Sequence, residues 1–396
     1  MKKLLVSLLA SSVMLVACGQ AVQEEGKEFE KTDDVAIESV NDQSSQENKA
    51  TDKSAEDTTE SSAEDLNDKS EAVNELEQWL PKTPNVERIY AGESNEYAEF
   101  STYPQFITED SIQFKNQNPG IISYHIYEYR EDSIVEIFTH HGSLIRDDFA
   151  NTAKTSDSEG EEIILKAPIE VGTQWEDRDG QSVEITATDL ELAAPNGTVP
   201  GIEVTTTTID QDGHEGKIYR YYGKDIGLVK EVTELSSDAE MTVISTLTEY
   251  KPDTVEKIPF TLYALDYETL DQAIEIEMEL ELKTNDPIRL ALTDKLKEEL
   301  DSEGTNLLPN DATINFMYLD DNNVVHVDFS EELATNMQAG ASGESEILQR
   351  IVDTIANLYH AEAVNLSLDG GAYDKGGHVH IDKDQLLYPT HGPMAQ

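Results

Sequence analysis

The sequence predicts a multidomain protein: an antiparallel β-rich domain, then an α+β domain with two helices on a mixed sheet, both following a disordered acidic tether. Three observations carry this. Between residues 97 and 250, short β-branched and aromatic runs alternate with turn dipeptides. Beyond residue 256, period-two runs give way twice to a helical repeat. Ahead of both, residues 21–80 hold 19 acidic residues against five lysines, and their apolar positions are sparse and aperiodic.

The order of elements starts at Met1. Lys2 and Lys3 precede an apolar run from Leu4 to Val16, long enough for an export signal and short for a membrane span. Leu15-Val16-Ala17-Cys18 then resembles a bacterial lipobox. That resemblance implies cleavage after Ala17 and a lipid on Cys18. A covalent lipid also accounts for a single cysteine in an exported chain, where a free thiol is a liability. The expected division is therefore a signal peptide at 1–17, a tether at 18–83, a β-rich domain at 84–252 and an α+β domain at 256–392. The tether cannot bury enough apolar surface to offset its ordering entropy. Glu71 to Leu80 is the exception, a run that can form one or two helical turns.

In the β-rich part, runs at 97–103, 121–129, 133–141, 183–192, 201–209, 216–222, 227–235 and 241–250 give eight to ten strands. Asp179-Gly180, Asn196-Gly197 and Asp212-Gly213 read as turns. Asp177-Arg-Asp179-Gly180 and Asp210-Gln-Asp212-Gly213 look like the beginnings of calcium loops, but the spacing and terminal Glu of an EF-hand are missing, so hairpin turns are expected. His140 and His141 are neighbours on a strand and point to opposite faces. A curved sheet, half-barrel or sandwich follows. This part resembles secreted β-sheet domains of Gram-positive lipoproteins, some of which cradle lipid while others act as passive adaptors.

Residues 273–283 alternate strictly: Ile274, Ile276, Met278, Leu280 and Leu282 face a core, and Glu275, Glu277, Glu279 and Glu281 face water. Asp286-Pro287 starts a helix whose stripe is Ile288, Leu292, Leu296 and Leu300. Strands at 313–319 and 323–329 form a hairpin. Ser342 is the expected N-cap of a second helix with Ile347, Ile351, Ile355 and Leu358 inward, and a strand at 363–369 ends the order β-β-α-β-β-α-β. The segment from Leu282-Lys-Thr-Asn-Asp-Pro287 through NLLPNDATINFMYLDDNNVVHVDFSEEL to DGGAYDKGGH resembles the GerMN domain of spore-germination lipoproteins. It departs at Asp374-Lys-Gly-Gly377, where the family tends toward a serine-rich turn. The resemblance implies a non-catalytic, extracytoplasmic module that assembles with envelope proteins or with itself, and it brings no catalytic residues.

Composition agrees. The 396 residues hold 28 Lys+Arg and 81 Asp+Glu, a net charge of −53 that repels nucleic acid. Such acidity suits saline or alkaline surroundings. One cysteine excludes an internal disulfide and a Cys-rich metal site. No G-x-S-x-G, H-E-x-x-H or phosphate-binding loop is present, so no enzyme and no cofactor beyond the lipid are expected. His378 and His380, with Asp382 and Asp384 following, are the best metal candidates, since i and i+2 on a strand share a face. The expected function is a lipid-anchored adaptor on the outer face of a Gram-positive-type cytoplasmic membrane, in sporulation or germination. The alternative is a carrier holding a lipid or wall ligand in the β-rich domain.

Overall fold

The computed structural model describes residues 75–142, 146–152, 154–209, 213–234, 242–265, 273–298 and 306–391. The lipobox Leu15, Val16 and Ala17, Cys18 and most of the expected tether lie outside them.

Twelve antiparallel strands form the N-terminal lobe: β1 (Glu87–Glu93), β2 (Phe100–Ile107), β3 (Ser111–Gln117), β4 (Ile122–Tyr129), β5 (Ser133–Gly142), β6 (Glu162–Lys166), β7 (Gln174–Glu176), β8 (Ser182–Ala194), β9 (Gly197–Ile209), β10 (Glu215–Gly223), β11 (Gly227–Glu234) and β12 (Thr242–Lys251). Their order is β6-β5-β4-β3-β2-β1-β12-β11-β10-β9-β8-β7, two meanders of six strands joined where β1 pairs with β12. The end strands meet where Trp175 Nε1 on β7 donates to the Ile163 carbonyl on β6 at 3.0 Å, so the sheet is nearly closed. This removes most of the edge a twelve-stranded sheet would otherwise expose. It also exceeds the eight to ten strands that the sequence runs suggest. β1, β3, β6 and β7 are the additions, being short or rich in polar residues.

The inner face holds an apolar cluster of Ile112, Phe114, Tyr129, Ile134, Leu165, Trp175, Ile185, Ile202, Val204 and Tyr222. Leu76 completes it, at 1% exposure, with Trp79 and Leu80 packed alongside. Three hydrogen bonds seat this N-terminal turn: Tyr129 Oη to the Leu80 carbonyl (2.5 Å), Asp225 N–H to the Gln78 carbonyl (2.7 Å) and Ile169 N–H to Glu75 Oε1 (3.3 Å). Residues 75–83 therefore belong to the folded lobe, a correction to a tether reaching residue 83. The physical reason is that Leu76 buries its side chain in the same apolar cluster as the inward residues of the strands.

The C-terminal lobe contains β13 (Glu256–Leu265), β14 (Ala273–Leu282), α1 (Ile288–Lys297), β15 (Ile314–Leu319), β16 (Val324–Phe329), α2 (Glu332–Thr335), α3 (Ala341–Tyr359), β17 (Ala363–Leu368) and β18 (Leu386–Leu387). The element order matches the expectation, with α2 and β18 added. The single mixed sheet does not. β13 and β14 form their own hairpin, and only β15-β16-β17-β18 is mixed, with β16 parallel to β17 across the α3 crossover. Side chains of α3 explain the split. Asn357 Oδ1 accepts from Thr261 N–H (3.3 Å) and Thr354 Oγ1 from Tyr263 N–H (3.0 Å), so the outer edge of β13 is satisfied by a helix instead of a strand. Ile288, Leu292 and Leu296 are buried as the repeat predicts. The caps differ: α1 begins one residue late, with Pro287 at its N-cap, while Asp286 Oδ2 turns back to accept from Lys283 N–H (2.9 Å). Gly340, not Ser342, precedes α3, and Ser342 lies within the helix.

The two lobes share one apolar cluster, which joins Tyr124, Ile126, Phe138 and Phe149 to Ile258, Phe260, Leu280 and Tyr359. The strands β4 and β5 are thus buried on both faces. Leu76→Ala should lower stability by about 2–5 kcal/mol, the usual cost of a large-to-small change in a packed site. Urea unfolding checks this, since the same change in a solvated tether would leave the midpoint unmoved.

Candidate functional site

The lobes meet around a buried carboxylate. Glu256, 6% exposed at the start of β13, accepts from Lys115 Nζ (3.1 Å), from Gln105 Nε2 (3.2 Å) and from the Arg146 guanidinium. Arg146 also donates to the carbonyls of Gln105, Lys283 and Asp286, which ties the first lobe to the β14–α1 turn. Gln113 Nε2 bridges Gln105 Oε1 (2.9 Å) and the Asp147 carbonyl (2.7 Å). Beyond the junction, Thr155 Oγ1 donates to Asp321 Oδ2 (2.6 Å) in the β15–β16 turn. A cleft of about 520 Å³ opens here, lined by Glu87, Tyr103, Lys115, Asp253, Glu256 and Lys257 among others. Most of its lining residues are charged or polar, unlike those of the apolar pocket expected of a lipid carrier.

Asp147 is the second buried acid of the junction. Its carboxylate accepts from Leu319 N–H (2.9 Å) and from Tyr359 Oη (3.0 Å). Burial pushes its pKa up to about 6, against those two bonds. Burial likewise pushes the Tyr359 phenol up, with the Asp147 charge adding to it.

Among the described strands of the C-terminal lobe, β14 is a ten-residue edge strand. It pairs with β13 on one side, and no other described strand pairs with it. Thr261 and Tyr263 turn their N–H groups away from β14, so their partners Glu277 and Glu275 sit in the wide pairs of the ladder. The backbone N–H and C=O groups of Glu275, Glu277, Glu279 and Glu281 therefore face outward at the free edge. Their side chains are exposed, as the alternation predicts, while Leu280 and Leu282 are buried. Lys257 offsets two of them, at 2.7 Å from Glu279 and 3.1 Å from Glu281. The edge of β15 is capped instead: Arg289 donates to the Ile314 carbonyl, Ile314 N–H to Thr293 Oγ1 and Leu319 N–H to Asp147.

The metal candidates do not converge. Residues 378–380 form a loop between the bridge partners Tyr373 and Ile381 rather than a strand. His378 is held through its backbone N–H, which donates to Glu344 Oε2 at 2.6 Å. His380 Nε2 lies 3.0 Å from the exposed Asp382. No group of three or more His, Cys, Asp or Glu among the described residues could hold a metal ion. Glu344, 2% exposed, orders this loop by also accepting from Tyr373 Oη (2.8 Å). A Cβ on Gly377 would stand 2.1 Å from Glu344 Oε1, which accounts for glycine there. His140 and His141 both bring Nδ1 to Asp157 Oδ2, at 3.2 and 3.4 Å, although they are neighbours on β5. Asp177 closes the β7–β8 hairpin by accepting from Asp179 and Gln181 N–H. Its turn neighbour Arg178 reaches Glu136 (2.9 Å) and Glu162 (3.5 Å), contacts that no local motif announces. Asp210 and Asp212 lie outside the described residues.

No described helix is long and apolar enough to cross a membrane. Residues 261–374 match the family model Germane, described as sporulation and spore germination, in line with the GerMN resemblance. No curated protein matches the chain. Among solved structures, a candidate lipoprotein from Clostridium perfringens is 18% identical over 33% of this chain and 87% of that one, with a TM-score of 0.22. The tandem GerMN domains of the sporulation protein GerM from Bacillus subtilis give 19% identity over 33% of this chain and 45% of theirs, with a TM-score of 0.25. The alignment thus spans under half of that tandem. A candidate exported protein with a YmcC-like fold from Bacteroides fragilis gives 12% identity over 43% and 97%, with a TM-score of 0.29.

Two predictions follow from the junction and the loop. Because Asp147 titrates higher when folded, its protonated form stabilises the protein fully below the unfolded value near 3.8, and that stabilisation is lost as pH rises through about 6. Asp147→Asn should flatten the stability profile between those values by an amount on the order of 2–3 kcal/mol. Unfolding of both proteins across that range measures the difference. Gly377→Ala should speed amide exchange over residues 373–381 and spare the strands of the twelve-stranded sheet.

Proposed function

From the Germane domain that this chain carries over residues 261–374, we propose that the protein is an extracytoplasmic lipoprotein working as an adaptor in sporulation or germination. Cys18 would carry the lipid and hold it on the outer face of the cytoplasmic membrane. The Germane domain would act without catalysis, by binding an envelope protein or a second copy of itself. The observation that carries this reading is the open edge of β14, ten residues long, beside a β15 edge that is capped. An unpaired edge offers main-chain hydrogen bonds to an extended segment of another protein, and the glutamate row selects one carrying basic side chains.

The carrier alternative needs apolar space in the first lobe. The apolar part of that interior is a cluster of the protein's own buried side chains, Leu76, Leu165 and Trp175 among them. In-cell crosslinking from the anchored protein, during growth and during sporulation, tests the adaptor reading. Repeated capture of one envelope protein through residues 256–392 is the expected result. Glu277→Pro removes an outward N–H while sparing the bonds to β13, so it should abolish that capture and change stability by less than about 1 kcal/mol. Unchanged capture would move the interface away from β14. Failure to capture any protein, together with lipid recovered from the purified chain, would establish the carrier instead.

A further inference from the structure

Ser123 and His125 leave β4 on the same face, two residues apart, toward the interior of the first lobe. Ser123 Oγ lies 2.9 Å from His125 Nε2. The other ring nitrogen, Nδ1, lies 2.8 Å from Glu136 Oε2 on β5. A proton on Nδ1 satisfies the carboxylate and leaves Nε2 as the acceptor for the serine hydroxyl. Glu136 is itself fixed, its Oε1 accepting from Thr139 Oγ1 (2.8 Å) and Arg178 Nη2 (2.9 Å). Burial alone would raise this carboxyl, but the bonds from His125, Arg178 and Thr139 outweigh it and hold the pKa down to about 2. The group that orients the imidazole therefore stays ionised.

The pairing of β4 brings two further polar residues next to Ser123. Asn116 on β3 and His141 on β5 are the direct cross-strand partners of Ser123. Such partners place their Cβ atoms about 5 Å apart. Asn116 Oδ1 and His141 Nε2 are both buried and make no hydrogen bond. Buried polar atoms are normally paired, so two orphans on the residues paired with Ser123 call for a partner, which a polar group of a ligand would supply. The Asn116 amide can turn its N–H toward such an oxygen, because the two ends of the amide are the same size.

We propose that Ser123, His125 and Glu136 form an acyl-transfer site, with Ser123 as nucleophile, His125 as general base and Glu136 as the positioning residue, acting on small carboxylic esters. This goes beyond the adaptor reading and rests on none of it. Ser123 Oγ attacks the ester carbonyl carbon and its proton passes to His125 Nε2. The tetrahedral intermediate places its oxyanion by Asn116. Collapse breaks the bond to the alcohol oxygen, and the alcohol leaves with the proton from His125. Water then attacks the acyl-serine by the same path and releases the carboxylic acid.

The test treats the full chain with a fluorophosphonate probe, maps the adduct by mass spectrometry and follows p-nitrophenyl acetate hydrolysis. The expected result is an adduct on Ser123, formed with loss of fluoride and a proton. Ser123→Ala, which removes one oxygen and should keep the melting temperature, abolishes the adduct. His125→Gln slows labelling and hydrolysis by about 100-fold or more. Glu136→Gln also slows both, and Glu136→Asp recovers part of the rate, as positioning requires. A folded chain with no adduct on Ser123, or with hydrolysis equal to that of Ser123→Ala, overturns the proposal.

Discussion

The Glu256 carboxylate holds the molecule together, because three donors from one lobe close on an acid that begins the other. Two of those donors are cations, so the pair count is uneven, and Arg146 meets the surplus by donating to three carbonyls. Removing one member of such a network leaves a buried charge without its partner, which costs about 3–5 kcal/mol. Geometry follows from this. Gln105 on β2 and Gln113 on β3 face the junction, and the cluster around Tyr124 and Phe260 packs beside it. The lobes are better described as one body with two architectures than as two domains on a linker.

That arrangement also shows what was legible in the sequence. The C-terminal lobe was readable element by element, because its strands and helices bury one face each and their periods are clean: Leu280 and Leu282 inward against exposed glutamates, Ile351 and Ile355 along α3. The first lobe was less so. β3, SIQFKNQ, carries Gln113 and Lys115 on the face that meets the other lobe, so its polar positions do not mark solvent. Leu76 reads as part of a polar tether because its partners come from strands 36 or more residues away, none of them visible locally. The expected helix caps moved by one residue at Asp286, which took another local bond with Lys283, and by two at Ser342.

The polar interior of the first lobe lay beyond sequence reading for a related reason. Ser123 and His125 are close in sequence, but Glu136 comes opposite only once the β4–β5 register, with its bulge near Ile126, is fixed. Arg178 arrives from the other meander altogether, across the closing strands. The absence of a nucleophile-elbow motif says nothing about such a site, since a triad is defined by geometry and not by order along the chain. The converse holds for His378 and His380, whose spacing suggests convergence that the loop geometry does not provide.

The seat of Leu76 also has a mechanical consequence. Any pull on the chain ahead of Glu75 reaches the folded body first through Leu76, Trp79 and Leu80, and through the Tyr129 and Asp225 bonds to this turn. These contacts would yield one after another, ahead of any strand in the ladder, because the turn is not part of the sheet. The first lobe would then lose three apolar side chains from its interior cluster while its twelve strands remained paired. Tension on the chain would thus loosen the packing inside the first lobe before it threatened the strand ladder.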